Sequence, residues 1–305
     1  MPNDSSLETL AFDQARWSKT ADTLKRSIVK ARWTVLALVI AGAFLETLGA
    51  QLIPKSSAAQ IIGYVGAAAL ATVAVTRQWR LGRERVQGWV LARATSESLK
   101  HETYLFRARA GPYSGNNPVD VLYDRRDGIL KKADPVRKYT VEPRQEDVRV
   151  LGLLDANGYI TERVKPQIKF FQDASSKYSQ LQGTIGGIEF FLAIAAALLG
   201  VTATTAGNQK IGPWVAVITT VGGALGAHVL AQRYEQLTVT YRATADRLSG
   251  ILGRWSAKQG NLPQLAEQTE AALMEENQAW IAGADDIVKD PGSQPAPVVP
   301  SGTTH

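Results

Sequence analysis

The chain has 305 residues, with 34 basic and 28 acidic side chains, a net charge of +6 and no cysteine. The missing cysteines exclude disulfides, thiolate metal sites and cysteine nucleophiles, and three histidines (His101, His228 and His305) are too few for a histidine-rich metal centre. A mean hydropathy of −0.10 resembles that of a soluble protein only because oily and charged stretches average out.

From the N-terminus, the charged stretch from Phe12 to Ala31 contains no Gly or Pro and predicts a helix leading into the apolar run Trp33–Ile53. A second run, Ala58–Thr76, follows at once. Its helix should continue past the membrane, because Val86, Trp89, Ala92, Ser96, Leu99 and Phe106 fall on one face. The Gly-, Pro- and charge-rich stretch from Gly111 to Glu146 reads as linker and loop. Ile160, Val164, Ile168, Phe171, Ala174, Tyr178 and Leu181 then form a heptad-like seam ahead of the third run, Gly183–Ala203. The fourth run, Gly212–Ala231, leads into a stripe of Tyr234, Leu237, Tyr241, Ala245, Leu248, Leu252 and Trp255. A last helix over about 262–282, capped by Asn261, should close a bundle through Leu265, Leu273 and Trp280. The proline-rich residues 286–305 read as a disordered tail.

The four runs are 19 to 21 residues long, near the ~20 that a helix needs to cross ~30 Å of hydrocarbon. Shifting the first pair by 149 residues lands almost on the second, and carries Arg93-Ala-Thr-Ser-Glu97 onto Arg242-Ala-Thr-Ala-Asp246. This predicts an all-α membrane protein made of two parallel repeats, each a two-span transmembrane hairpin whose helices extend into a cytoplasmic bundle. The units are 1–110, a linker over 111–156, 157–285, and the tail.

Charge placement gives the orientation. Lys19, Lys25, Arg26, Lys30 and Arg32 precede the first run, and Arg77, Arg80, Arg83 and Arg85 follow the second. Lys165, Lys169 and Lys177 precede the third, and Arg233, Arg242 and Arg247 follow the fourth, while each hairpin loop holds one lysine (Lys55, Lys210). That asymmetry predicts a multi-pass protein of the plasma membrane with both termini cytoplasmic. It also accounts for the surplus of positive charge without nucleic acid.

Nothing resembles a phosphate-binding loop, a His-Glu-x-x-His motif or a Gly-x-Ser-x-Gly elbow, so neither catalysis nor a cofactor is expected. Ionisable groups inside the runs are more informative, because a charge in hydrocarbon is costly and turns toward protein or water. Glu46 lies two-thirds through the first run, at the depth of Tyr64 in the second. Glu189 and His228 lie at matching depth in the second hairpin and could pair. These four are candidates to line or gate an aqueous path. The alternative for Glu46 is a neutral, internally bonded acid, and for the other two an interfacial position. Gly63, Gly222 and Gly226 are candidates for close helix approach. In the repeated motif, Arg93 with Glu97 and Arg242 with Asp246 are i,i+4 pairs, whose recurrence points instead to partners on other helices.

Several stretches resemble SLATT-domain proteins, the SMODS- and SLOG-associating two-transmembrane effector domains of bacteria. They are Trp33-Thr-Val-Leu-Ala-Leu-Val-Ile-Ala-Gly-Ala-Phe-Leu, Trp89 with Arg93-Ala-Thr-x-Glu, Tyr241-Arg-Ala-Thr-Ala-Asp-Arg-Leu, and Glu276-Asn-Gln-Ala-Trp280. The resemblance is to a tandem arrangement over about 10–110 and 157–285. It implies a pore-forming effector of bacterial conflict systems, opened by a nucleotide second messenger or by the partner enzyme that makes it. From the residues themselves the expectation is a homo-oligomeric pore or ion channel, with a non-conducting membrane scaffold that recruits partners through its bundle as the alternative.

Overall fold

The computed structural model describes residues 2–51, 56–149, 152–205, 210–258 and 260–289. The predicted end of the first span at Ile53, the loop residue Lys55 and the tail from 290 onward lie outside the described residues. Among those described, the regular structure is all helical.

Helix α1 (Pro2–Gln51) is one unbroken rod of 50 residues, about 75 Å long at 1.5 Å per residue. It carries the predicted N-terminal helix and the first span together, since no proline interrupts it beyond its first turn. Helix α2 (Ser57–Arg80) starts at Ser56, whose hydroxyl accepts the Ala59 N–H at 3.1 Å. A break at Leu81–Gly82 separates it from α3 (Arg83–Arg107).

The second repeat has the same order. Helix α5 (Ala156–Tyr159), a π turn (Ile160–Val164) and α6 (Lys165–Thr205) run on as a second rod of 50 residues. Helix α7 (Gly212–Gln232) has Pro213 in its first turn, where the missing N–H costs nothing, and ends at Arg233 in a left-handed conformation (φ 56°). Helix α8 (Tyr234–Lys258) follows. Helix α9 (Leu262–Lys289) begins at the predicted cap, the Asn261 carboxamide oxygen accepting the Gln264 N–H at 2.9 Å. It runs to Lys289, beyond the expected start of the tail.

Four helices are long and apolar enough to cross a membrane. Their apolar stretches are at most 28% buried by protein, so a nonpolar environment must cover most of each surface. Phe190, Phe191, Leu198, Ile61 and Val75 are among the exposed side chains. This is an all-α membrane protein.

The predicted stripes are the buried faces of one bundle that draws on both repeats. Leu10, Trp17 and Leu24 of α1 meet Leu99 and Phe106 of α3, Phe171 of α6, Leu248 of α8 and Leu265 of α9. Tyr178 stacks on Tyr234 at 5.7 Å, and Phe171 meets the Tyr241 ring at 5.2 Å, closing α6 on α8.

The stretch expected to be linker and loop is instead partly helical and packed. Helix α4 (Pro118–Lys132) starts at a proline, buries Leu122, and is tied to α1 by Arg126, whose guanidinium reaches Asp13 at 2.6 Å. Tyr113 donates to Glu102 at 2.5 Å, and Arg125 reaches the other oxygen of that carboxylate at 3.0 Å. Composition alone missed α4 because its exposed face is dense in charge and only a few apolar residues hold it.

Beyond the shared core, two helix pairs make the most extensive contacts between the repeats. Helix α1 packs on α7 near the membrane and α3 packs on α9 below it. No comparable contact joins the equivalent pairs, α6 with α2 or α8 with α4, among the described residues.

Candidate functional site

Two layers carry the polar groups that matter: the interior of the spans and the charged seam beneath them. In the first hairpin α1 and α2 approach closely along Gly42, Glu46 and Gly49 on one side and Ala59, Gly63, Gly66 and Leu70 on the other. A Cβ on Gly49 would lie 2.9 Å from the Ala59 carbonyl oxygen and 3.1 Å from the Gly63 nitrogen. One on Gly66 would lie 2.9 Å from both Cγ and the backbone nitrogen of Glu46. Gly63 lends only its backbone to this contact, since a Cβ on it would meet nothing within 4 Å, and the glycines that a Cβ would crowd are Gly42, Gly49 and Gly66, which were missed. Their spacing of seven, and of three and four with their partners, was the available signal.

Glu46 faces Gly66 and not Tyr64. Tyr64 is 73% exposed and makes no hydrogen bond to Glu46. Two residues along a helix are about 200° apart, so Tyr64 points outward when Gly66 points inward.

The same two-residue offset separates Glu189 from His228. The Glu189 Oε1 lies 3.1 Å from where a Cβ on Gly226 would stand, so the carboxyl fills the gap that glycine leaves. His228 turns the other way, onto Trp33 of α1, with ring centroids 4.5 Å apart and its Nε2 without a hydrogen-bond partner. The expected Glu189–His228 pair does not form. About one turn further along the same α1–α7 contact, Arg32 donates to Gln232 at 3.1 Å. A cleft of about 470 Å³ opens beside Glu189, lined by Ser179, Gln182, Gly183, Gly186 and Val229. Gly222 has no neighbour within 4 Å of a built Cβ among the described residues.

Below the membrane the repeated arginines part company. Arg93 lies with its guanidinium carbon 3.9 Å from the Trp280 ring centre, and its Nη2 is 3.8 Å from Glu276, both on α9. Trp89 meets the same Trp280 edge-on at 5.0 Å. Arg93 thus has partners on another helix, while Glu97 lies 4.0 Å from Lys100. Arg242 and Asp246 are exposed on α8, and among the described residues neither side chain has a hydrogen bond or ion pair.

Deeper in the bundle Glu270 of α9 is fully buried. Arg163 grips it with two hydrogen bonds of 2.7 and 2.9 Å, Tyr159 donates at 3.0 Å, and His101 Nδ1 stands at 3.5 Å. Burial pushes the Glu270 carboxyl up, but Arg163 and His101 outweigh it and hold it down to about 2. For Glu276 the balance is reversed. Burial, with Glu97 adding to it, pushes its carboxyl up to about 6 against the pull of Arg93. Its Oε1 is buried without a hydrogen bond. Nothing in the sequence singled out Arg163, Glu270 or the role of Glu276, because isolated charges on helices read as solvated.

The comparisons divide the chain at the same point. Residues 159–280 match the family model of the SMODS and SLOG-associating 2TM effector domain 1, which supports the SLATT family for this half. Residues 15–120 match a family described as a protein of unknown function, DUF4231, where a second SLATT unit was expected. No curated protein and no solved structure matches the chain.

Proposed function

We propose that this protein is an oligomeric pore of the plasma membrane, opened by rearrangement of the helical bundle beneath its spans. The observation that carries the reading is continuity. α1 and the α5–α6 rod each begin in the bundle core and run unbroken into a span. A displacement of Leu10, Trp17 or Phe171 is therefore delivered to the membrane without a joint to absorb it. The family match of residues 159–280 supports an effector role. The common helix order and the 149-residue register support reading residues 15–120 as a second unit of the same kind.

Both termini and the bundle lie on the cytoplasmic side, a reading that the basic flanks support. The trigger is a nucleotide second messenger or a partner signalling enzyme acting on the bundle. Glu46 and Glu189 face glycines within each hairpin, and Glu189 opens on a cleft large enough for several waters at ~30 Å³ each. They are the groups we assign to a permeant ion.

Purified protein in liposomes should release trapped ions, alone or with a nucleotide, and Glu46→Ala or Glu189→Ala should change conductance or selectivity. Vesicles that stay tight under every trigger, with the substitutions altering stability alone, would favour a scaffold.

A further inference from the structure

The contact between the repeats is one-directional. α1 of the first packs on α7 of the second, and α3 of the first on α9 of the second. A two-fold relation would require α6 on α2 and α8 on α4 to the same extent, and neither pair packs comparably among the described residues. A head-to-tail contact between like units does not satisfy itself. It leaves one used and one unused surface at each end, and continues into a ring or filament.

The unused surfaces occupy the same positions in the repeat as the used ones. Adding 149 carries the α3 residues at the α9 contact, Val90, Arg93 and Glu97, onto Val239, Arg242 and Asp246 of α8. Val90 is 5% exposed because Trp280 covers it, whereas Val239 is 65% exposed. Arg93 has Glu276; Arg242 has no partner among the described residues. Subtracting 149 carries Glu276 and Trp280 of α9 onto Asp127 and Lys131 of α4, both exposed. Charges are complementary across the two free faces: Arg242 and Asp246 on one, and on the other Lys131 with Asp127, whose exposed carboxylate also holds the adjacent Arg126 at 2.8 Å. The membrane layer behaves alike. Phe44 of α1 meets Trp214 of α7 with ring centroids 5.6 Å apart, and their counterparts, Ala193 of α6 and Val65 of α2, are both exposed.

We infer that a second copy of this chain docks its α2 and α4 on the free face of α6 and α8, repeating between copies the contact that α7 and α9 make with α1 and α3 within one. Arg242 meets Asp127 of the neighbouring copy, and α6 around Ala193 meets its α2 around Val65. The ring so formed has twice as many two-span units as chains, alternating in type. The inference takes from the proposed function only that copies associate.

The chain contains no cysteine, so introduced thiols report only the chosen positions. Two differently tagged full-length forms, one Ala193→Cys and the other Val65→Cys, are co-expressed in membranes and oxidised. A disulfide-linked dimer at least tenfold above that from either form alone is expected, and a ladder of higher species when one chain carries both substitutions. Arg242→Asp should lower the yield at least fivefold, and Asp127→Arg in the other form should restore it. An intrachain Phe44→Cys/Trp214→Cys crosslink, undiminished in each variant, shows that the fold survives. Equal dimer yield from either single form alone would mean a two-fold contact and overturn the inference. So would the absence of the mixed dimer, or loss on Arg242→Asp without restoration. A ladder in vesicles that stay tight removes the pore and keeps the contact; leaking vesicles with no mixed dimer do the reverse.

Discussion

Arg93 lies flat over Trp280, its guanidinium carbon 3.9 Å from the ring centre, and so joins the first repeat to the last helix of the second. Arg242, in the same Arg-Ala-Thr motif, stands exposed. A desolvated cation–π contact is worth roughly 2 kcal/mol and an exposed arginine little. Arg93→Ala should therefore lower stability by about 1 to 3 kcal/mol, and Arg242→Ala by less than about 0.5 kcal/mol in dispersed monomer. Denaturant unfolding in detergent would measure both; equal losses would mean that the seam does not hold the repeats together.

The seam should be sensitive to pH. The Glu276 carboxyl is raised to about 6 in the fold, so its contribution to stability is fully present below the ordinary carboxylate range and is lost as pH rises through 6. From pH 4.5 to 7 that loss is about 2 kcal/mol, at 1.36 kcal/mol per unit for a side chain that is 6% exposed. Hydrogen exchange in α9, corrected for its intrinsic pH dependence, should quicken between pH 5 and 7.5. Glu276→Gln should flatten that dependence and slow exchange at pH 7.5.

Glu270 answers with the opposite sign. Its carboxyl is held down to about 2, so its stabilisation is present above the ordinary range and is lost as pH falls toward 2. Glu270→Ala leaves Arg163 buried and unpaired, which should cost about 3 to 5 kcal/mol. Removing the exposed Asp246 should cost less than about 0.5 kcal/mol, and thermal unfolding of the two variants side by side decides the point.

Within the membrane, Gly66→Ala should loosen the first hairpin by about 1 to 3 kcal/mol. Its new methyl would meet the Glu46 backbone nitrogen at 2.9 Å, which no rotamer change relieves. Gly222→Ala, with open space around it, should not disturb the folded chain. A disulfide-trapping rate between α1 and α2, measured against one between α6 and α7, would separate the two glycines.

How far the chain could be read depended on what kind of property was sought. Spans and bundle stripes were legible because hydrophobicity and helical period are local. The run from Trp33 needs a nonpolar solvent whatever surrounds it, and Leu99 and Leu248 recur at spacings that keep one face dry. The cap at Asn261 and the basic flanks were legible for the same reason. Partners were not. Depth along a helix suggested Tyr64 for Glu46 and His228 for Glu189, but a rotation of about 200° per two residues turned each away and put a glycine in its place. The same motif gave Arg93 a ring and a carboxylate and left Arg242 bare, because the way one repeat lies against the other covers the Arg93 face of α3 with α9 and leaves the matching face of α8 open. Local chemistry determined which surfaces leave water. The order in which the repeats stack, a matter of packing between residues far apart in the chain, decided what each surface meets.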